Sequence, residues 1–411
     1  MNNKPNRFME LEGLRGIAAV MVVITHFVFL FFPAMRRGNM ALTHSRFEDN
    51  VYGTPLMLLV AGTLAVAIFF VLSGFVLSIG FFKTGDQNIV MKLATGRYLR
   101  LMLPALASVL IAFVLISFGA HTLTSVAGEI ANSTYLSGKW HHSPTFLEAL
   151  KTATFDIFVE YKGESRAINH ALWTMYVEFI GSFLVFGFLL IFARSRFRWV
   201  AYAVLIVGTF GTWYLAFIIG VLIADAYNLG WLERLRHWSV TVPIAVVAIF
   251  LGIFPKKHEN TIYEFLDLSF FGFSERVVYL TFSATLIVLV VLLSKTLARV
   301  LQTRLLSSLG KYTFSLYLTH LSVIYTVPTS VVILLHERIG YNWAALVAAL
   351  VCVLFLWLVS YFFERYIDAP SIKFAKYVSA IYRNDREIDW PGRSNAVITR
   401  VKGVLRRNKQ E

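Results

Sequence analysis

Three ionisable side chains interrupt apolar stretches of this sequence, where burial makes a charge costly: His26, Glu178 and His320. His26 follows Arg15 by eleven residues, which is about 16 Å along a helix axis, or roughly half of a hydrocarbon core. Arg15 then sits at one membrane face and His26 near the midplane. A neutral imidazole accepts a proton near neutral pH without large tuning. His26 is therefore a candidate general base, a helix-to-helix hydrogen bond being the plainer use of the same ring. Glu178 closes the segment Leu172-Trp173-Thr174-Met175-Tyr176-Val177-Glu178 and lies about 15 Å deep. A carboxylate at that depth pairs with a cation, holds its proton, or takes part in chemistry. Orienting or charge-balancing His26 is the expected role. Asn169, His170 and Trp173 precede it at the outer end, where a substrate could enter.

Two more motifs bear on binding. Arg97-Tyr98-Leu99-Arg100 projects two guanidinium groups from one helical face just before an apolar run. Guanidinium forks suit phosphate through paired charge-assisted hydrogen bonds, while positive anchoring at a membrane face is the bland alternative. Ser73-Gly74, inside Phe69-Phe70-Val71-Leu72-Ser73-Gly74-Phe75, allows close backbone approach between helices. The adjacent pair His141-His142 lacks a helical ligand spacing, and Cys352 is the single cysteine. No metal site and no intramolecular disulfide are expected.

The elements that must position these residues are transmembrane helices. Of 411 residues, 57% are hydrophobic and 15% charged, against about 25% charged in a soluble domain. Backbone groups in hydrocarbon are satisfied only in helices or closed barrels. Long, uninterrupted apolar runs reject the barrel. An all-α polytopic bundle follows, with ten candidate spans at roughly 14–33, 56–82, 101–119, 168–193, 198–209, 211–225, 239–254, 277–294, 312–335 and 341–363. The fifth and sixth read either as a tight hairpin or as one broken helix. The first, beginning near Ile17, reads as a permanent span rather than a cleaved signal.

The net charge of +14 lies in loops and tail rather than on a binding face, so lipid headgroups and not nucleic acid are the expected partners. Segments on the side of the N-terminus hold 27 Lys and Arg against 11 on the other. Both termini are then cytoplasmic. Residues 120–167, with Trp140, His141, His142, Asp156, Glu160 and Tyr161, form the largest external segment and a candidate lid. Residues 1–370 make the membrane domain and 371–411 a basic tail. Asp368-Ala369-Pro370 reads as a cap and helix start, followed by an amphipathic helix on the inner leaflet.

In their order along residues 8–370, these motifs resemble acyltransferase family 3, the membrane-bound O-acyltransferases. The likeness rests on Arg15 and His26 with ten residues between, Ser73-Gly74, Arg97-x-x-Arg100, the Leu-Trp-x-x-x-x-Glu segment ending at Glu178, Tyr317-x-x-His320, and the Glu364 to Pro370 ending. The resemblance implies transfer of an acyl group, commonly acetyl from acetyl-CoA, to a hydroxyl of an extracytoplasmic glycan or lipid-linked sugar. The implied setting is multi-pass in a bacterial inner membrane. It implies His26 as the catalytic histidine supported by Arg15, and Arg97 and Arg100 on the CoA phosphates. Ser73, Tyr317 and His320 then line the donor, while Asn169, His170 and Trp173 meet the acceptor. Thr174 stands where the family often has serine, and residues 371–411 are too short and basic for the hydrolase-like domain some members append. A secondary transporter or flippase with a midplane His/Glu site is the rival reading.

Overall fold

The computed structural model describes residues 8–37, 42–45, 48, 54–160, 168–255, 262–268 and 272–382, and among them every regular element is helical. Seven helical runs are long and apolar enough to cross a membrane. Three shorter apolar helices of 12, 15 and 15 residues accompany them. Each of the ten expected segments corresponds to one of these.

Helix α1 runs Met9–Phe31, with Glu10 and Glu12 in its first turn, where the helix dipole favours a negative charge. Helix α2, Gly62–Thr84, stops at Gly85, whose φ of 69° is left-handed. The next residue, Asp86, caps α3, Gln87–Ser117, by accepting from the Asn88 backbone N–H at 2.9 Å. Helix α3 thus starts well before residue 101, and Arg97 and Arg100 lie in its third and fourth turns rather than at a loop's end. Polar residues in those early turns hide the extension from a hydropathy reading. Helix α4 runs Trp173–Ile191, α5 Arg198–Thr209 and α6 Tyr214–Asn228. The Tyr202 hydroxyl, near the start of α5, donates to Asp225, near the end of α6, at 3.4 Å. The two helices are therefore an antiparallel hairpin, turned at Gly211 with φ 77°. Helices α7, Trp238–Gly252, and α8, Glu275–Leu293, pair with each other.

The expected span 312–335 is two helices, α9 Arg304–Ile324 and α10 Val327–Ile339. Pro328 opens α10 and cannot donate to the preceding turn. Thr326 and Thr329 hydroxyls cover the carbonyls of Ser322 and Tyr325 at 2.8 and 2.9 Å. Helix α11, Tyr341–Phe363, passes through a wider π-helical turn at Glu364–Asp368 into α12, Ala369–Tyr382. The wider turn accommodates the missing N–H of Pro370 without breaking the helix. Instead of starting afresh at Asp368, α12 continues α11 and turns its small residues Ser371, Ala375 and Ser379 inward. Ser379 Oγ lies 2.6 Å from Thr95 Oγ1 and donates to the Lys92 carbonyl at 3.1 Å. Phe374, Tyr377 and Ile381 remain outward, an apolar stripe of the kind that seats in a lipid interface. The segment expected as a detached amphipathic anchor is thus also a wall of the bundle.

Of the expected lid, Trp140 is buried and its indole N–H donates to the Ile168 carbonyl at 2.8 Å. Tyr161 lies outside the described residues.

Close helix contact fixes the centre. Helices α2 and α6 run parallel, Phe70 meeting Trp213 and Phe75 meeting Tyr227. They cross at Gly74 and Gly220, where an added Cβ would stand 2.1 Å from the Phe217 carbonyl oxygen and 2.2 Å from that of Val71. Without a hydrophobic drive between helices in lipid, such contact carries much of the association. Gly74→Ala is expected to destabilise by at least about 1–3 kcal/mol through overpacking. Gly187→Ala in α4, where a Cβ meets nothing within 4 Å, should be neutral or slightly stabilising. Thermal unfolding of the two variants in one detergent checks the contrast.

Candidate active site

Helices α1 and α9 run parallel, with Glu12 against Gly310 at one end and His26 against His320 further along. Eleven residues make about three helical turns, so Arg15 and His26 share one face of α1. The His26 and His320 ring centroids are 4.9 Å apart. His320 is fully buried and His26 half-buried.

Carbonyl partners set the tautomers of the neutral rings. His320 Nδ1 is 2.7 Å from the Tyr317 carbonyl, which only accepts, so Nδ1 carries the proton and Nε2 the lone pair. His26 Nδ1 is 2.8 Å from the Val22 carbonyl and 3.3 Å from His320 Nε2. Its proton is therefore shared between those two acceptors. The lone pair of His26 falls on Nε2, and His320 stands behind the ring as an orienting acceptor.

Below this pair lies a cavity of about 690 Å³ enclosed by α1, α2, α3, α4, α9 and α12. Its wall includes Arg15, Ser73, Arg97, Arg100, Glu178 and Tyr317, while His26, His320, Asn169, His170 and Trp173 are not on it. The cavity ends at Tyr317 and Thr174, whose hydroxyls are 2.8 Å apart. Both hydroxyls reach the Ala171 carbonyl, Tyr317 donating at 2.8 Å and Thr174 at 3.2 Å. Threonine preserves the hydroxyl that serine would supply here. Tyr317 precedes His320 by three residues, about 4.5 Å along α9, so one layer of hydroxyls separates cavity from imidazole.

Glu178 does not meet His26. Its Oε1 accepts from Arg97 and, at 2.8 Å, from Ser73 Oγ. Arg97 Nε also donates to Ser182 Oγ at 2.8 Å. The early start of α3 is the reason, because it raises Arg97 to the level of Glu178 on the antiparallel α4. Arg97 thus gives Nε and one Nη to protein groups while its side chain stays on the cavity wall. Arg100 pairs with Asp368 at 2.5 Å but keeps 27% of its side-chain surface. Arg15 lies 3.5 Å from Glu12, and Lys311 3.2 Å from Glu364.

Asn169 is spent internally: it caps the turn before α4 by accepting from the Ala171 N–H at 3.1 Å, and donates to the Leu318 carbonyl at 2.8 Å. His170 and Trp173 beside it are half-buried. Sequence reasoning passed over Ser182, although its position four residues after Glu178 puts it on the same helical face. It also left Glu12, Lys92 and Lys311 among the loop charges and Lys376 on the polar face of an amphipathic surface helix.

A family model described as an acyltransferase domain matches residues 9–362. The chain belongs to acyltransferase family 3. No curated protein and no solved structure matches it at a significant level. The match runs from the first residue of α1 to the last turn of α11, so it takes in both histidines, the Arg97–Glu178 pair and most of the cavity wall. A family 3 acyltransferase needs a place for an acyl donor, and this cavity, with Arg15 and Arg100 on its wall, falls within the size range of small-ligand sites.

Proposed function

We propose that this multi-pass membrane acyltransferase moves an acetyl group from acetyl-CoA to a hydroxyl of an extracytoplasmic glycan or lipid-linked sugar, in a bacterial inner membrane with both termini cytoplasmic. The His26–His320 pair directly beyond the end of a cation-lined cavity carries the reading. The excess of basic residues on the side of the N-terminus supports the orientation.

In this mechanism the donor enters from the cytoplasm with its diphosphate toward Arg15 and Arg100. Its thin pantetheine arm runs past Ser73 to the Thr174–Tyr317 layer, which parts to admit the thioester. The acceptor approaches from outside past His170 and Trp173, on a floor that Asn169 holds in place. His26 Nε2 takes the hydroxyl proton as the oxygen attacks the thioester carbonyl. The C–O bond forms, the C–S bond breaks, and the imidazolium returns its proton to the departing thiolate. His320 Nε2 stabilises that imidazolium by accepting from His26 Nδ1–H, as an orienting base partner does. Fixing both substrates at one point contributes several kcal/mol in such reactions.

The test is incubation of purified protein, in proteoliposomes, with radiolabelled acetyl-CoA and a panel of surface glycans and lipid-linked sugars. Label moving into a glycan hydroxyl ester is the expected result. Label passing across the bilayer without ester formation would establish the transporter reading instead.

A further inference from the structure

Four ion pairs neutralise most of the charge around the cavity: Arg15–Glu12, Arg97–Glu178, Arg100–Asp368 and Lys311–Glu364. Two further cations on the same wall, Lys92 and Lys376, have no carboxylate partner among the described residues. Both are exposed. They come from different helices and meet at one crossing. Lys92 is in the second turn of α3, and Lys376 is one turn before Ser379 on α12, whose hydroxyl donates to the Lys92 carbonyl at 3.1 Å. Gly96 holds the crossing tight, since a Cβ there would lie 3.3 Å from the Ala375 carbonyl oxygen. Lys92 lies five residues before Arg97, about 7.5 Å nearer the start of α3, so the two lysines mark the mouth of the cavity.

We infer that Lys92 and Lys376 form a subsite for a phosphomonoester, namely the 3′-phosphate on the donor's ribose. The inference rests on the reading of the cavity as the acyl-CoA site. In acyl-CoA this phosphate lies at the opposite end of the molecule from the thioester, so an arm directed toward His26 leaves it at the mouth. A phosphomonoester carries close to two negative charges near neutral pH and three terminal oxygens, enough for two ammonium groups from two helices. Lysine serves as a point charge and does not require the bidentate geometry of arginine. An anionic lipid phosphate offers related chemistry at the same membrane face, and the experiment separates the two sources.

Affinities for CoA and for 3′-dephospho-CoA are measured by calorimetry on the full-length protein in detergent, with and without added phosphatidylglycerol. The wild type is expected to prefer CoA by about tenfold, the scale of a charge-assisted contact to phosphate. Lys92→Gln with Lys376→Gln should erase that preference by weakening CoA alone, leaving dephospho-CoA unchanged. Lys92→Gln alone should lose part of it, and Lys373→Gln, off the cavity wall, should retain it. A double variant that keeps the full preference overturns the inference, as does a wild type that binds both nucleotides equally. Loss of a phosphatidylglycerol effect with the nucleotide preference intact assigns the lysines to lipid and also overturns it. A wild type that binds neither nucleotide rejects the underlying acyl-CoA reading itself.

Discussion

Replacing His26 with alanine is expected to lower acyl transfer by about 10²–10⁴-fold, the usual contribution of a positioned general base, while CoA affinity stays at the wild-type value. The split follows from position. His26 is not on the cavity wall, so its removal takes nothing from donor binding and acts on turnover alone. His320→Gln is expected to give a smaller loss of the same kind, because it removes the acceptor behind Nδ1 without removing Nε2 of His26. Turnover of radiolabelled acetyl-CoA, paired with calorimetry on the same preparation, reads both quantities. Near-normal turnover from His26→Ala would reject the base assignment. A fall in CoA affinity that accounts for the whole loss would move His26 into the donor site.

The parts of this protein visible in its sequence are those that lipid dictates. Apolar runs located the spans because hydrocarbon leaves the backbone few alternatives. The start of α3 was obscured, since Gln87, Asn88 and Lys92 read as loop to a hydropathy count, although Gly85 and the Asp86 cap both marked it. Pro370 read as a boundary because a proline normally ends an α-helix, and a π-helical turn absorbed it instead. Single chemical residues were legible because ionisable groups are rare in spans. Their pairing was not. Arg97 and Glu178 are 81 positions apart, Arg100 and Asp368 268, and His26 and His320 294. Only packing decides which charge meets which at such separations, and it gave Glu178 to Arg97 and His320 to His26. Lys92 and Lys376 resembled any interfacial lysine until α12 folded back onto α3.

The Arg97–Glu178 pair separates architecture from donor binding. Both side chains keep 14% of their surface exposed, and Ser73 and Ser182 satisfy further bonding positions around them. Glu178→Ala leaves the guanidinium without its counter-charge, and Arg97→Ala leaves the carboxylate likewise. Each is expected to cost about 3–5 kcal/mol of stability, the scale for breaking a buried pair. The double replacement Arg97→Met with Glu178→Leu should recover most of that loss, since two apolar groups remove both desolvated charges together. A double-mutant cycle on thermal unfolding in a single detergent measures the coupling. If the pair holds α3 to α4, the stabilised double variant still binds CoA with near wild-type affinity, because phosphate contact falls to other cations on the wall. If Arg97 instead grips phosphate directly, the double variant regains stability and not CoA affinity, and the guanidinium belongs to the donor rather than to the scaffold.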